Sequence, residues 1–136
     1  MLIAGLAGGV ANFLLGWLVW GVLLAGFMAK NAGSATGVAK DPPEFWAIGL
    51  SSLAFGLLFA LIYSRWAGIR TFTSGLLAGA TIGALIAISF DFMMLATTNI
   101  TTMNAVFVDI LASTAVAAVV GGVVGWVLGT GKEAAA

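Results

Sequence analysis

The segment 89-SFDFMMLATTNITTMNAVFVDI-110 sets two acids, Asp91 and Asp109, inside otherwise apolar runs, with a row of Thr and Asn residues between them. Only five of the 136 residues are acidic, so two at such places call for a reason. An aspartate near the middle of a membrane span costs about 2.5–3.5 kcal/mol on insertion scales and less toward the interface. At helical spacing Thr98 falls on nearly the same face as Asp91, and Thr102 on nearly the same face as Asp109, each seven residues away. Two carboxylates and two hydroxyls can then converge at one mouth of a helical bundle. Oxygen donors of this kind suit a hydrated cation or a proton relay. The structural alternative is a hydrogen bond from each acid to a neighbouring helix, or an ion pair with Lys30 at the same membrane level. The two acids differ in their excuse. Asp109 lies near a helix start, where unpaired N–H groups favour an anion by some tenths of a kcal/mol, whereas Asp91 lies near a helix end, where the dipole opposes it.

Little else in the chain offers chemistry. With no Cys and no His, disulfides, iron–sulfur clusters, thiol nucleophiles and the usual haem or zinc ligands are absent. There is no Gly-rich phosphate loop, no nucleophile with a base and no metal quartet. The sequence therefore leads us to expect no catalytic, metal or cofactor residues and no enzymatic activity. Asn12 is the strongly polar side chain of the first apolar run and is expected to hydrogen-bond between helices rather than contact a substrate. Trp17 and Trp20, with Phe13, form an aromatic stripe too deep for headgroup anchoring, which suits lipid-facing or core packing rather than a pigment or sterol site. The triplet Asn99-Ile100-Thr101 formally matches a glycosylation acceptor, a common pattern that carries little weight in a tight turn.

The elements that must position these residues follow from composition. Hydrophobic residues make up 62% of the chain and charged ones 7%, with a mean hydropathy of +1.16. Soluble domains hold roughly 45–50% apolar and about 25% charged residues, so this is the composition of an integral membrane protein. Ten scattered charges summing to zero build no basic face, which argues against a nucleic-acid partner. Four apolar runs, 2–28, 45–63, 75–96 and 105–128, each approach or exceed the roughly 20 residues an α-helix needs to cross the hydrocarbon. The alternation of a β-barrel is missing. The expected fold is all-α: a polytopic membrane protein with an antiparallel bundle of four transmembrane helices, forming one domain over 1–136. The connections 29–44, 64–74 and 97–104 are short enough to make consecutive helices antiparallel neighbours. Pro42-Pro43 must lie at or before the start of the second helix, and Trp46, Tyr63, Trp66 and Trp126 lie near span ends as amphipathic rings do. The first run carries no Lys or Arg ahead of it and is 27 residues long, so it reads as a retained helix rather than a secretory signal.

The loops define two sides. Side A carries Arg65, Arg70 and Lys132, whereas side B carries Lys30 and Lys40 together with Asp41 and Glu44. The positive-inside tendency then predicts that both termini are cytoplasmic.

Small residues recur every four positions: Gly75, Gly79, Gly83 and Ala87 in the third run, and Ser113, Ala117, Gly121, Gly125 and Gly129 in the fourth. Such rows let backbones approach closely, and close packing supplies much of the association energy in lipid. A tight hairpin of the third and fourth helices is expected. The first run has Gly5, Gly8, Gly9 and Gly16 around Asn12, and the second has Ser52, Gly56, Ala60 and Ser64. Four such surfaces exceed the needs of a simple bundle, which points to a homo-oligomer or a larger membrane complex besides the lipids themselves.

The segments 13-FLLGWLVWGVLL-24, 64-SRWAGIRT-71, 89-SFDFMMLATTN-99 and 118-AVVGGVVGWVLG-129 together resemble a group of small four-helix bacterial membrane proteins of unknown function. The resemblance implies the fold and a bacterial inner-membrane location, and it implies no activity or site. Two functions follow as expectations. One is a non-enzymatic, self-associating scaffold or accessory subunit of a membrane complex. The other is a small oligomeric channel or proton/cation-coupled transporter using Asp91 and Asp109, favoured by the acid pair and opposed by the lack of a broken helix or inverted repeat.

Overall fold

A computed structural model of the chain describes residues 1–38, 40 and 43–130; the sequence expectations for Asp41, Pro42 and Lys132 fall outside them. Five α-helices follow in order: α1 (Leu2–Gly16), α2 (Ala25–Lys30), α3 (Phe45–Leu61), α4 (Phe72–Thr97) and α5 (Met103–Leu128). α1 continues into a π-helical segment, Trp17–Leu23, and α3 into a second, Ile62–Ala67. With those continuations, four helices are long and apolar enough to cross a membrane: Leu2–Leu23, Phe45–Ala67, Phe72–Thr97 and Met103–Leu128.

The helix ends explain where the expected boundaries shift. The run 2–28 is not one helix. It breaks at Leu24, whose φ of −106° and ψ of 1° leave the helical region, and the short α2 follows. α4 begins earlier than its apolar run because Thr71 caps it, its hydroxyl accepting from Ser74 N at 3.2 Å. α5 likewise begins at Met103 under Thr102, which accepts from Ala105 N at 3.4 Å. Caps of this type satisfy orphan N–H groups at the first turn. Between the second π segment and α4, Gly68 at φ +65° supplies the left-handed turn that closes the side-A connection.

α1 packs on α3 and on α5, and α4 packs chiefly on α5, so the helices run α4, α5, α1, α3 across the molecule. α3 and α4, although consecutive, are joined mainly at side A, where the Tyr63 hydroxyl donates to the Gly75 carbonyl at 2.7 Å. The expectation that consecutive helices are packed neighbours thus holds for α1 and α3 and for α4 and α5, whereas α5 and α1 come between α3 and α4.

Two seams hold this row together. In the first, a methyl group at Gly9 would meet Leu53 Cα at 2.9 Å, and one at Gly56 would meet the Gly5 carbonyl oxygen. In the second, a methyl group at Gly79 would meet the Ala117 carbonyl oxygen and Gly121 Cα, and one at Gly75 would meet the Gly121 carbonyl oxygen. Backbones this close leave no room for a side chain, which is the geometry small residues permit in lipid. The buried core lies toward side A and comprises Ala4, Phe59, Ala60, Tyr63, Val116, Ala117, Val120, Val124 and Leu128. Phe59 stacks edge-on against Phe55, with centroids 4.9 Å apart. Side B, where both acids lie, is packed less tightly.

Candidate membrane-embedded acid site

Asp91 and Asp109 are the side-B ends of the α4–α5 seam. On α4 the small row Gly75, Gly79, Gly83, Ala87 is buried against α5, and Asp91 is its next member at the same spacing of four. On α5 the row Gly125, Gly121, Ala117, Ser113 runs the opposite way and reaches Asp109 at the same spacing. Gly79 faces Gly121 and Gly83 faces Ala117, so two further steps from the Gly83 contact carry α4 to Asp91 and α5 to Asp109. The rows themselves aim the two carboxyls at each other. Asp91 Oδ2 is shielded from solvent and has no hydrogen-bond partner among the described residues.

Asp109 has partners that Asp91 lacks. Its Oδ1 accepts from Trp20 Nε1 at 2.9 Å, and its Oδ2 accepts from the Ser113 hydroxyl at 3.4 Å. Trp20 belongs to the Trp17–Leu23 π segment, as Tyr63 belongs to the Ile62–Ala67 one. Each π segment therefore contributes one long-range side-chain hydrogen bond to the bundle, consistent with the tendency of π turns to occur where a helix must re-aim a side chain. Leu24 N bonds Val19 O at 2.7 Å, the wide closure that marks the first of them.

The other two expected site residues are engaged elsewhere. Thr98 donates to the Met94 carbonyl at 2.7 Å and accepts from Ile100 N at 3.3 Å, closing the end of α4. Thr102 caps α5 and donates to the Asn31 carbonyl at 2.5 Å. Neither hydroxyl joins the acids. The expected set of two carboxylates and two hydroxyls is replaced by two carboxylates, one indole N–H and one hydroxyl, that of Ser113. The physical reason is that backbone groups freed at helix ends compete for Thr side chains and win by proximity. Among the described residues Lys30 makes no ion pair with either acid; Lys40 pairs with Glu44 at 3.2 Å on side B. Because α5 starts at Met103, Asp109 is its seventh residue, beyond the first turn where the dipole is effective. The expected dipole support for Asp109 is therefore small, and Trp20 and Ser113 supply what stabilises it.

Asn12 donates to the Ser52 hydroxyl at 3.3 Å, joining α1 to α3 as the sequence leads one to expect. Trp20 could have been found by the same logic: a deep indole carries an N–H that needs an acceptor, and a deep Asp is the natural one.

The chemistry open to the pair follows from charge. Two full negative charges about 4 Å apart repel by ~4 kcal/mol at an effective dielectric of 20. Against this, a hydrogen bond to a charged group contributes about 1.5–3 kcal/mol net. The two donors on Asp109 do not offset the repulsion and a membrane desolvation together, so the pair is suited to holding a proton or a cation between its oxygens.

Above the site, residues 31–35 strap the α4–α5 turn: Gly33 N donates to Ile100 O and Ala35 N to Asn99 O, both at 3.0 Å. Beside it, α1 and α3 part toward side B and leave a cavity of about 940 Å³ bounded by Asn12, Trp17, Trp20 and Phe45.

No family model, no curated protein and no solved structure matches the chain.

Proposed function

We propose that the chain is a small membrane protein that binds and passes a proton or a monovalent cation at Asp91 and Asp109, acting as a channel or as a proton/cation-coupled transporter. The observation that carries this reading is the facing pair of carboxyls at membrane depth, one of them with an oxygen that no donor reaches. Trp20 and Ser113 hold Asp109 in place and leave Asp91 as the group free to exchange its partner. The side-B strap over the turn governs entry from the loop side. Arg65, Arg70 and Lys132 at side A, against Lys30 and Lys40 at side B, support cytoplasmic termini, and the bacterial inner membrane remains the proposed location. Purified protein in proteoliposomes, challenged separately with proton, sodium and potassium gradients, tests the reading. Wild type should dissipate at least one gradient and Asp91→Asn should not; no flux of any of the three from wild type overturns it.

A second reading, a self-associating scaffold or accessory subunit of a larger complex, is favoured by a different observation. α4 is an edge helix that packs chiefly on α5 and exposes Leu77, Leu85, Phe90 and Met93. The Gly rows no longer support this reading, because they are filled by one another within the chain. Cysteine cross-linking at Leu85 in membranes tests it: a cross-linked dimer supports the scaffold, and a monomer at all protein-to-lipid ratios removes self-association.

A further inference from the structure

The cavity between α1 and α3 has a feature that bulk lipid does not explain. Four rings line it, those of Phe13, Trp17, Trp20 and Phe45, and with them the polar side chains of Asn12 and the exposed Ser51, while Pro43 marks its loop end. Asn12 uses one N–H on Ser52, whereas its carbonyl oxygen and the Ser51 hydroxyl have no hydrogen-bond partner among the described residues. Both are open to the cavity rather than sealed in the core, since neither is among the buried unpartnered atoms. Asn12 sits near the middle of the Leu2–Leu23 span, about 15 Å from either end at 1.5 Å per residue. At that depth there is no water to satisfy polar groups, and the ester groups of an ordinary diacyl lipid stay at the interface. The Gly5 and Gly9 contacts hold α1 against α3 toward side A, and the cavity opens beyond them, beside the π segment.

We propose that this cavity binds a neutral, membrane-dissolved molecule with an apolar body and one hydrogen-bonding group, entering laterally between α1 and α3 and bonding to Asn12 and Ser51. The apolar body lies among the four rings, and the polar group takes the hydrogen bonds that Asn12 and Ser51 leave unmade. Trp20 lines the cavity with its ring while its N–H holds Asp109, so the occupant touches the residue that positions the acid pair. The site does not depend on the acids carrying ions, and its test involves no flux.

The probes are bromododecanol and bromododecane, which differ in one hydroxyl and both quench tryptophan fluorescence. The protein carries Trp46→Phe, Trp66→Phe and Trp126→Phe, replacing three exposed rings outside the cavity and leaving Trp17 and Trp20 as reporters. In phosphatidylcholine vesicles the alcohol should quench saturably and, at low mole fraction, at least about threefold more than the alkane. Ser51 has no internal partner, so Ser51→Ala keeps the fold and should bring the alcohol down to the level of the alkane; Asn12→Leu should do the same. Equal, linear quenching by both probes in wild type means that ordinary acyl chains fill the cavity and overturns the proposal. So does an alcohol preference that survives in both variants.

Discussion

The indole of Trp20 donates to the carboxylate of Asp109 across 89 positions of sequence at 2.9 Å, and this one bond ties the first span to the α4–α5 hairpin at its loosely packed end. It places an aromatic ring of the lateral cavity and an acid of the embedded pair in direct contact. Through it, the π segment of the first span becomes part of the acid site.

Trp20→Phe removes the donor while keeping the ring. Loss of a hydrogen bond to a charged group should cost about 1.5–3 kcal/mol in detergent unfolding. A double-mutant cycle with Asp109→Ala should return a coupling of about 1 kcal/mol or more, and a coupling near zero would show that the bond contributes nothing to stability.

Asp91→Asn and Asp109→Asn should both fold, since an amide can still hydrogen-bond to the remaining carboxyl. Each should lower the flux of wild-type proteoliposomes at least about tenfold, on the view that two carboxyls are needed to hold and release the ion. Retention of wild-type flux in Asp91→Asn alone would take Asp91 out of the pathway.

Gly79→Leu should disrupt the hairpin, because a Cβ at this position would meet the Ala117 carbonyl oxygen and backbone cannot yield as a side chain can. A loss of about 3 kcal/mol or more is expected, the upper end of overpacking penalties. Gly49, by contrast, has open space around it, and Gly49→Ala should be neutral or stabilise by about 0.4–1 kcal/mol. Circular dichroism melts of the two variants check the contrast; equal melts would mean that the seam is not close-packed.

Gly33→Ala should loosen the side-B strap, since a methyl group there would meet the Asn99 carbonyl. Hydrogen exchange at the Gly33 position and at Ala35 should accelerate while the α5 core stays protected. Thr102→Val should add the loss of a helix cap, about 0.5–2 kcal/mol. If exchange in the strap is as fast in wild type as in Gly33→Ala, the strap is not closed and does not govern entry.

The four spans were legible in the sequence because hydrocarbon imposes one rule, that about 20 apolar residues must close their own backbone hydrogen bonds, and composition reports it directly. The small rows on α4 and α5 were legible for a similar reason: close backbone approach demands small residues at fixed spacing. Those two rows also contained the meeting of Asp91 and Asp109, as the next members of antiparallel series at steps of four. The destinations of Thr98 and Thr102 were not legible, because a hydroxyl near a helix end chooses between a distant ligand and a local carbonyl, and the choice depends on where the helix stops to within one residue. The pairing of Trp20 with Asp109 was decided only by tertiary structure. It requires α1 to lie against α5 and a π segment to turn the indole toward the carboxylate, and neither the neighbour of a helix nor its local winding is written in an apolar run whose lipid-facing and protein-facing residues have the same hydropathy.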